Sequence, residues 1–384
     1  MKLIVFSHKV CWKSDNSPTG YATDGGFSLH MDYLSNLFTE VSIVVPISES
    51  HPIGEISFKS TKIRIVPLTT NFGTGSYRKL RVFSWGILNY FKLKKMIFMH
   101  DAVHVPIPSD IGTIGMIMAF HWNRPLYVRH CGNWLKQETF MERFWLKFME
   151  KNAGGKNIFL ATGGDLINPS KINEHIKWIF SSSITQHEIE LTPKRINNQT
   201  TINLIIACRQ TFKKGTGFVI DALKLNTKYK IEFHILGDGE DIDLFKNQVG
   251  QFLPKVLVWN SVFFHGKKNH GEVMELLKEM DLFVFPTIAS EGFPKAVLEA
   301  MAVGLPVITT GVSVLPKLIG ESKSGLILDD VSPETILKAI YEYIENPDSY
   351  TSASENAIIE ARKYTLDAWV NEIGEHLKSN WEWK

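Results

Sequence analysis

Short apolar runs alternate with amphipathic stretches along the whole chain, and this alternation restricts the fold more than any other feature. In the first half the runs are Leu3 to Phe6, Val41 to Val45, Ile63 to Val66, Ala102 to Pro106, Pro125 to Val128 and Ile158 to Ala161. Each has the length of a strand buried on both faces, and segments of helical length lie between several of them. Parallel strands joined by helices are covered on both sides, which is why they read as continuous apolar runs rather than as alternating ones. A polar stretch from Glu188 to Thr201, containing Pro193 and the pair Asn197 and Asn198, interrupts the pattern. It then restarts with Ile202 to Ala207, Ile231 to Leu236, Val256 to Phe264, Leu282 to Phe285, Pro306 to Thr309 and Gly325 to Leu328. The pattern predicts an α/β chain with two Rossmann-like domains, residues 1–187 and 188–365. A last segment, residues 366–384, carries Leu366, Trp369, Val370, Ile373, Leu377 and Trp381 at helical spacing, which predicts a helix with one buried face packing toward the first domain.

Composition narrows the function. The 384 residues suit two domains, and 42 basic against 40 acidic side chains leave a net charge of +2, too little for a general nucleic-acid binder. Cys11, Cys131 and Cys208 are too scattered for a zinc-ligand spacing or a disulfide framework, so reduced thiols and no metal site are expected. The opening apolar run turns polar at Ser7, too early for a secretory leader, and no stretch is long enough to cross a bilayer. These features predict a cytoplasmic protein. Between Tyr77 and Lys95, however, Arg78, Lys79, Arg81, Lys92, Lys94 and Lys95 are interleaved with five aromatic residues and no acid. As a helix, residues 77–95 fit an anionic membrane surface at the inner face of the cell membrane, and they also fit a partly buried helix with a solvated basic face.

The segment from Asp281 to Thr310 reads as strand, loop, helix and strand, with Pro294 opening the helix and Gly304 and Pro306 closing it. Apolar residues surround that helix almost completely, so it is predicted to be buried; Glu299 is the exception. A carboxylate there needs a hydrogen-bonding partner, and a sugar diol supplies one. Glu291 precedes the helix, where the first backbone N–H groups favour negative charge. A structural account makes Glu291 a helix-start acid and Glu299 an ion-pair partner of Lys295. At the start of the second domain the strand Ile202 to Ala207 runs into Arg209 and Lys214, which at the carboxyl edge of an α/β sheet suit a pyrophosphate, or else form a solvated turn. The following strands end in Gly237-Asp238-Gly239, which allows close backbone approach or a tight turn, and in Phe264-His265-Gly266, which offers an edge for a nucleobase or a plain strand terminus.

Taken in order, Arg209, Lys214-Gly215, Gly237-Asp238-Gly239, Phe264-x-Gly266 and above all Glu291-x7-Glu299 resemble the retaining glycosyltransferases of family 4. The resemblance implies the GT-B fold, two Rossmann-like domains facing a central cleft, with residues 1–187 binding the acceptor and residues 188–365 the nucleotide sugar. It implies that Arg209 and Lys214 hold the donor pyrophosphate, that Glu291 stands at the donor sugar and that Glu299 takes the ribose hydroxyls. The backbone of Gly292, Phe293 and Pro294 would meet sugar hydroxyls and phosphate. In the first domain the resemblance is less sharp. Gly25 and Gly26 open a helical run, Phe27 to Phe38, in a position suited to the donor diphosphate or as flexible-loop glycines. His130, at the end of the strand Leu126 to Val128, stands where the family often has a histidine near the donor sugar, with His121 a rival. The implied activity is retaining and metal-independent transfer, needing no cofactor. Its donor is a nucleotide sugar, UDP being the commonest, and its acceptor a glycan or lipid-linked hydroxyl in surface polysaccharide synthesis. A nucleotide-sugar epimerase and a non-catalytic sugar-binding protein are the competing expectations.

Overall fold

In chain order the strands of the first half are β1 (Lys2–Phe6), β2 (Trp12–Lys13), β3 (Tyr21–Thr23), β4 (Glu40–Pro46), β5 (Ile56–Ser57), β6 (Ile63–Leu68), β7 (Ala102–Ile107), β8 (Leu126–His130), β9 (Asn157–Thr162) and β10 (Lys177–Ile179). The computed structural model describes all residues except 50–54, 69–77, 133, 135, 136, 138, 165, 166, 197–200, 252–259, 291 and 384, and for 78–80 and 83 only the backbone. Seven of the strands form one sheet in the order β10-β9-β8-β7-β1-β4-β6, parallel throughout. The six apolar runs read from the sequence are all in it. Strand β10 has no comparable run, because Lys177 at its start is exposed and only Ile179 is fully buried.

The chain divides into two compact units. The first comprises Met1–Gly163, Ile167–Phe180 and Asp367–Lys384, and the second Gly164–Leu166 and Ser181–Leu366. In the first unit Ile4, Phe6, Val103, Val105, Val128 and Phe159 on one sheet face pack with Leu93, Ile97, Met116 and Met149 of the covering helices. On the C-terminal helix, Leu366–Asn380, the predicted apolar stripe is buried: Trp369, Ile373 and Leu377 are at most 1% exposed. The loop Ser7 to Gly26 contains structure that its polar sequence conceals. Strands β2 and β3 within it pair with each other, and β3 pairs with β5, forming a small antiparallel sheet in which Trp12 and Ala22 are buried.

The second unit holds β11 (Ile202–Ala207), β12 (Ile231–Leu236), β13 (Asn260–Gly266), β14 (Leu282–Phe285), β15 (Val307–Thr310) and β16 (Gly325–Leu328). They form a parallel sheet in the order β13-β12-β11-β14-β15-β16. The start of the expected strand Val256 to Phe264 lies outside the described residues. The chain builds outward from β11 to β13, then crosses back to β14 on the other side of β11. Such a reversal opens a crevice at the carboxyl ends of the two strands flanking it, here β11 and β14, where α/β proteins bind ligands.

Candidate functional site

The crevice is bordered by the loops that follow β11 and β14. After Ala207 the chain runs through Cys208 to Gly215 before the helix Thr216–Leu225 begins. Its shape rests on Gln210, which is completely buried. The Gln210 amide donates to the Leu236 carbonyl at 3.0 Å and its carbonyl oxygen accepts from Thr216 Oγ1 at 2.7 Å. Its backbone N–H donates to the carbonyl of Asp238 at 3.0 Å. This leaves Arg209 exposed and Lys214 half-buried, with the Lys214 ammonium 5.8 Å from the centre of the Phe285 ring. The loop after β14 is laced to the same segment: the Ile288 N–H donates to the Lys213 carbonyl at 2.9 Å, and Thr287 Oγ1 donates to that carbonyl at 3.2 Å. Thr309 Oγ1 then donates to the carbonyl of Phe285 at 2.7 Å, tying β15 into the same edge.

Glycines permit this interlacing. Gly237 has φ +112°, and a Cβ on it would lie 1.9 Å from the Cys208 carbonyl oxygen. A Cβ on Gly239 would lie 2.2 Å from that of Gln210. Gly215 has φ +96°, and its Cβ would meet the Pro286 carbonyl oxygen at 2.4 Å. The Gly237-Asp238-Gly239 sequence, considered for close approach to a ligand, therefore allows close approach of its own backbone to the loop carrying Arg209.

Helices open at both strand ends. Thr216–Leu225 begins at Gly215 and Lys295–Ala302 at Pro294, and neither has a side chain capping its first turn. Ile242–Gly250 after β12 likewise has no side-chain cap, whereas the helices after β13 and β16 are capped by Asn269 and Ser332, which accept from the backbone of Glu272 and Thr335. Uncapped helix starts present the positive end of the helix dipole and donor N–H groups to whatever lies in front of them. Gly292 and Phe293 are half-buried and Pro294 buried, with the Phe293 ring centre 5.4 Å from that of Tyr364. Glu291 lies outside the described residues.

Glu299 stands one turn into the helix Lys295–Ala302, among buried Val297, Leu298, Ala300, Met301 and Ala302. Its side chain is 12% exposed and its Oε1 lies 3.2 Å from His270 Nδ1. The other ring nitrogen, Nε2, lies 2.8 Å from Glu188 Oε1. Hydrogen bonds from the ring to Glu188 and then to Glu299 raise the His270 pKa to about 10 against the opposing effect of burial. Burial pushes the Glu188 carboxyl up, but its bonds to His270 and Thr185 outweigh this and hold it well below the usual range. Neither His270 nor Glu188 was singled out from the sequence, where they are 82 residues apart. His265 sits at the end of β13 with its ring stacked on His234 and Nε2 2.9 Å from His234 Nδ1. Burial lowers the pKa of both.

In the first unit, Gly25 has φ +64°, a conformation that favours glycine, and Gly26 begins the helix Phe27–Ser35 without a side-chain cap. Lys9 pairs with Asp24 beside them at 2.5 Å. His130 is buried at the carboxyl end of β8, edge-on to Trp134 with ring centres 5.2 Å apart, and burial pushes its pKa down to about 4. It is therefore neutral at pH 7, and its Nδ1 has no hydrogen-bond partner among the described residues. His121 is exposed at the last residue of the helix Asp110–His121, which returns from the carboxyl end of β7 and so ends at the opposite, amino edge of the sheet. Of the two histidines only His130 stands at the edge where such sheets bind ligands.

This pair of parallel sheets is the GT-B fold. The structure of HepE from Anabaena, in complex with UDP and glucose, superimposes with a TM-score of 0.69 over 99% of this chain and 100% of that one, at 17% identity. Residues 188–360, all within the second unit, match the family model for glycosyl transferases, group 1. The amylovoran biosynthesis glycosyltransferase AmsK of Erwinia amylovora is 31% identical over 131 residues, which cover 32% of this chain and 31% of AmsK. An uncharacterized glycosyltransferase of Methanocaldococcus jannaschii is 27% identical over 147 residues, 38% of this chain and 36% of that protein. The matched region spans about a third of the length of such curated relatives.

Proposed function

We propose that this chain is a retaining glycosyltransferase of family 4 that moves a sugar from a nucleotide-sugar donor, a UDP-sugar, to a hydroxyl of a glycan or lipid-linked acceptor in surface polysaccharide synthesis. One observation carries the reading. At the switch point of the second sheet, two loops hydrogen-bonded to each other offer Arg209, Lys214 and two helix starts without side-chain caps. That is a concentration of positive charge and N–H donors suited to a diphosphate. The match of residues 188–360 to group 1 glycosyl transferases supports it.

In this mechanism Arg209, Lys214 and the helix starts stabilise the departing nucleoside diphosphate, so charge neutralisation needs no metal. Glu299 accepts from the ribose hydroxyls and Glu291 from the donor sugar. The acceptor hydroxyl attacks on the face the leaving group vacates, and a phosphate oxygen of that group takes its proton. His130, neutral and buried, and the Gly25-Gly26 turn are the first unit's candidates for donor contacts. Incubation with UDP-sugars, with and without a panel of glycan and lipid-linked acceptors, tests the reading. It predicts an α-linked product from an α-linked donor only when acceptor is present. Conversion of the donor alone would favour an epimerase, and binding without turnover across the panel a sugar-binding protein.

We also place the acceptor at a membrane surface. On the helix Arg78–Phe98, Leu88 is 84% and Phe91 80% exposed, and exposed Arg81, Lys92 and Lys95 share their side of the helix. Phe140, 71% exposed, opens a second helix, Phe140–Asn152, in the same unit. No described helix is long and apolar enough to cross a membrane. Apolar side chains flanked by cations suit the interface of an anionic leaflet.

A further inference from the structure

His270 is the first residue of the helix His270–Lys278, where a cation is disfavoured by the helix dipole. Helix stability therefore does not account for a charged ring there; its two acidic neighbours do. A neutral imidazole carries one N–H, yet both ring nitrogens face carboxylate oxygens, at 2.8 Å and 3.2 Å. The ring satisfies both only as an imidazolium with two donors. Glu188 is fixed in turn through its second oxygen, which accepts from the Thr185 N–H and hydroxyl, each at 2.7 Å. A hydrogen-bonded chain thus runs from the Thr185 turn through Glu188 and His270 to one carboxylate oxygen of Glu299.

We propose that His270 is a positioning residue for the donor site, holding the Glu299 carboxylate by Oε1 so that its remaining acceptor capacity is aimed at the vicinal hydroxyls of the donor ribose. This rests on the proposed function, in which Glu299 takes the ribose. It assigns Glu188 a role as well: it anchors the far side of the ring and keeps both nitrogens protonated.

The two amide isosteres of histidine separate this role from a merely structural one. His270→Asn keeps a donor near the Nδ1 position, facing Glu299, whereas His270→Gln keeps one near Nε2, facing Glu188. Binding of UDP and of 2′-deoxy-UDP is measured by calorimetry for wild type, both variants and Glu299→Gln, with circular dichroism as the control for folding. Wild type is expected to prefer UDP by roughly tenfold, the value of one hydrogen bond to a charged group. His270→Asn should keep most of that preference, and His270→Gln and Glu299→Gln should lose it. Equal discrimination in both His270 variants would overturn the proposal while leaving nucleotide binding intact. A wild type that binds none of UDP, ADP and GDP would overturn the proposed function itself. Nitrogen NMR of the wild-type ring is independent of how the variants fold: both nitrogens should be protonated at pH 7.5 and shift when UDP is added. A ring with one bare nitrogen, or one indifferent to bound UDP, contradicts the proposal.

Discussion

Lys214 and Arg209 flank a loop held by one completely buried side chain. Buried Gln210 between them ties the loop to β12 and to the helix Thr216–Leu225, leaving the two cations on the crevice side. If they hold a diphosphate, Lys214→Ala and Arg209→Ala should each weaken UDP binding by about 2 kcal/mol, the value of a charge-assisted hydrogen bond, with unchanged melting temperature. Calorimetry decides this, and unaltered binding removes them from the site. His270 makes a prediction in pH. Its folded pKa of about 10 lies above the usual histidine value, so the proton it holds stabilises the folded chain fully below about pH 6.5, and the stabilisation is lost as pH rises through 10. Denaturant titrations of wild type and His270→Gln should therefore differ most at acid to neutral pH and converge toward pH 10; a constant gap would mean that the ring is not charged. The cations could be read from the sequence because they follow a strand directly. The Glu188–His270–Glu299 chain could not, since its members lie on three separate segments and meet only through the fold.

At the scale of elements, the parallel strands were legible because burial on both faces demands continuous apolar runs, as in Ile202–Ala207 and Leu282–Phe285. The small sheet of β2, β3 and β5 was not, because strands this short carry no periodicity amid polar residues. The helix Lys295–Ala302 and its lone acid were legible, but the partner of that acid was not. The glycines after β12 were legible as places of close backbone approach, but not the backbone they approach, the carbonyls of Cys208 and Gln210. Gly237→Ala must therefore push those loops apart. At φ +112° it should cost more than about 2 kcal/mol and also weaken UDP binding, since the loop it displaces carries Arg209. Thermal melts with and without UDP test this, and a variant as stable as wild type would show that the loops tolerate separation. The helix Arg78–Phe98 predicts its own outcome. Leu88→Ser with Phe91→Ser should abolish most cosedimentation with phosphatidylglycerol vesicles and leave the melting temperature unchanged, because both side chains are exposed. Retained binding would place the membrane contact elsewhere.

At the scale of the whole molecule, the chain's last helix belongs with the first unit rather than with the unit that precedes it in sequence. It buries Trp369, Val370, Ile373 and Leu377, and Trp381 is buried just beyond its end; at about 2 kcal/mol each, these side chains together rival the stability of an entire domain. Deleting residues 367–384 should leave the first unit open to proteolysis while the second keeps its core. The first unit's candidate residues stand on less sequence than the second's, since His130 and Gly25-Gly26 are single features without an ordered set behind them. Every proposed role depends on the switch point of the second sheet being a nucleoside diphosphate site. Calorimetric titration of UDP into wild type and into the double variant Arg209→Ala, Lys214→Ala tests this most directly. Saturable binding by the wild type and a loss of about a hundredfold or more in a folded double variant are expected. Equal affinity in the two proteins would contradict it.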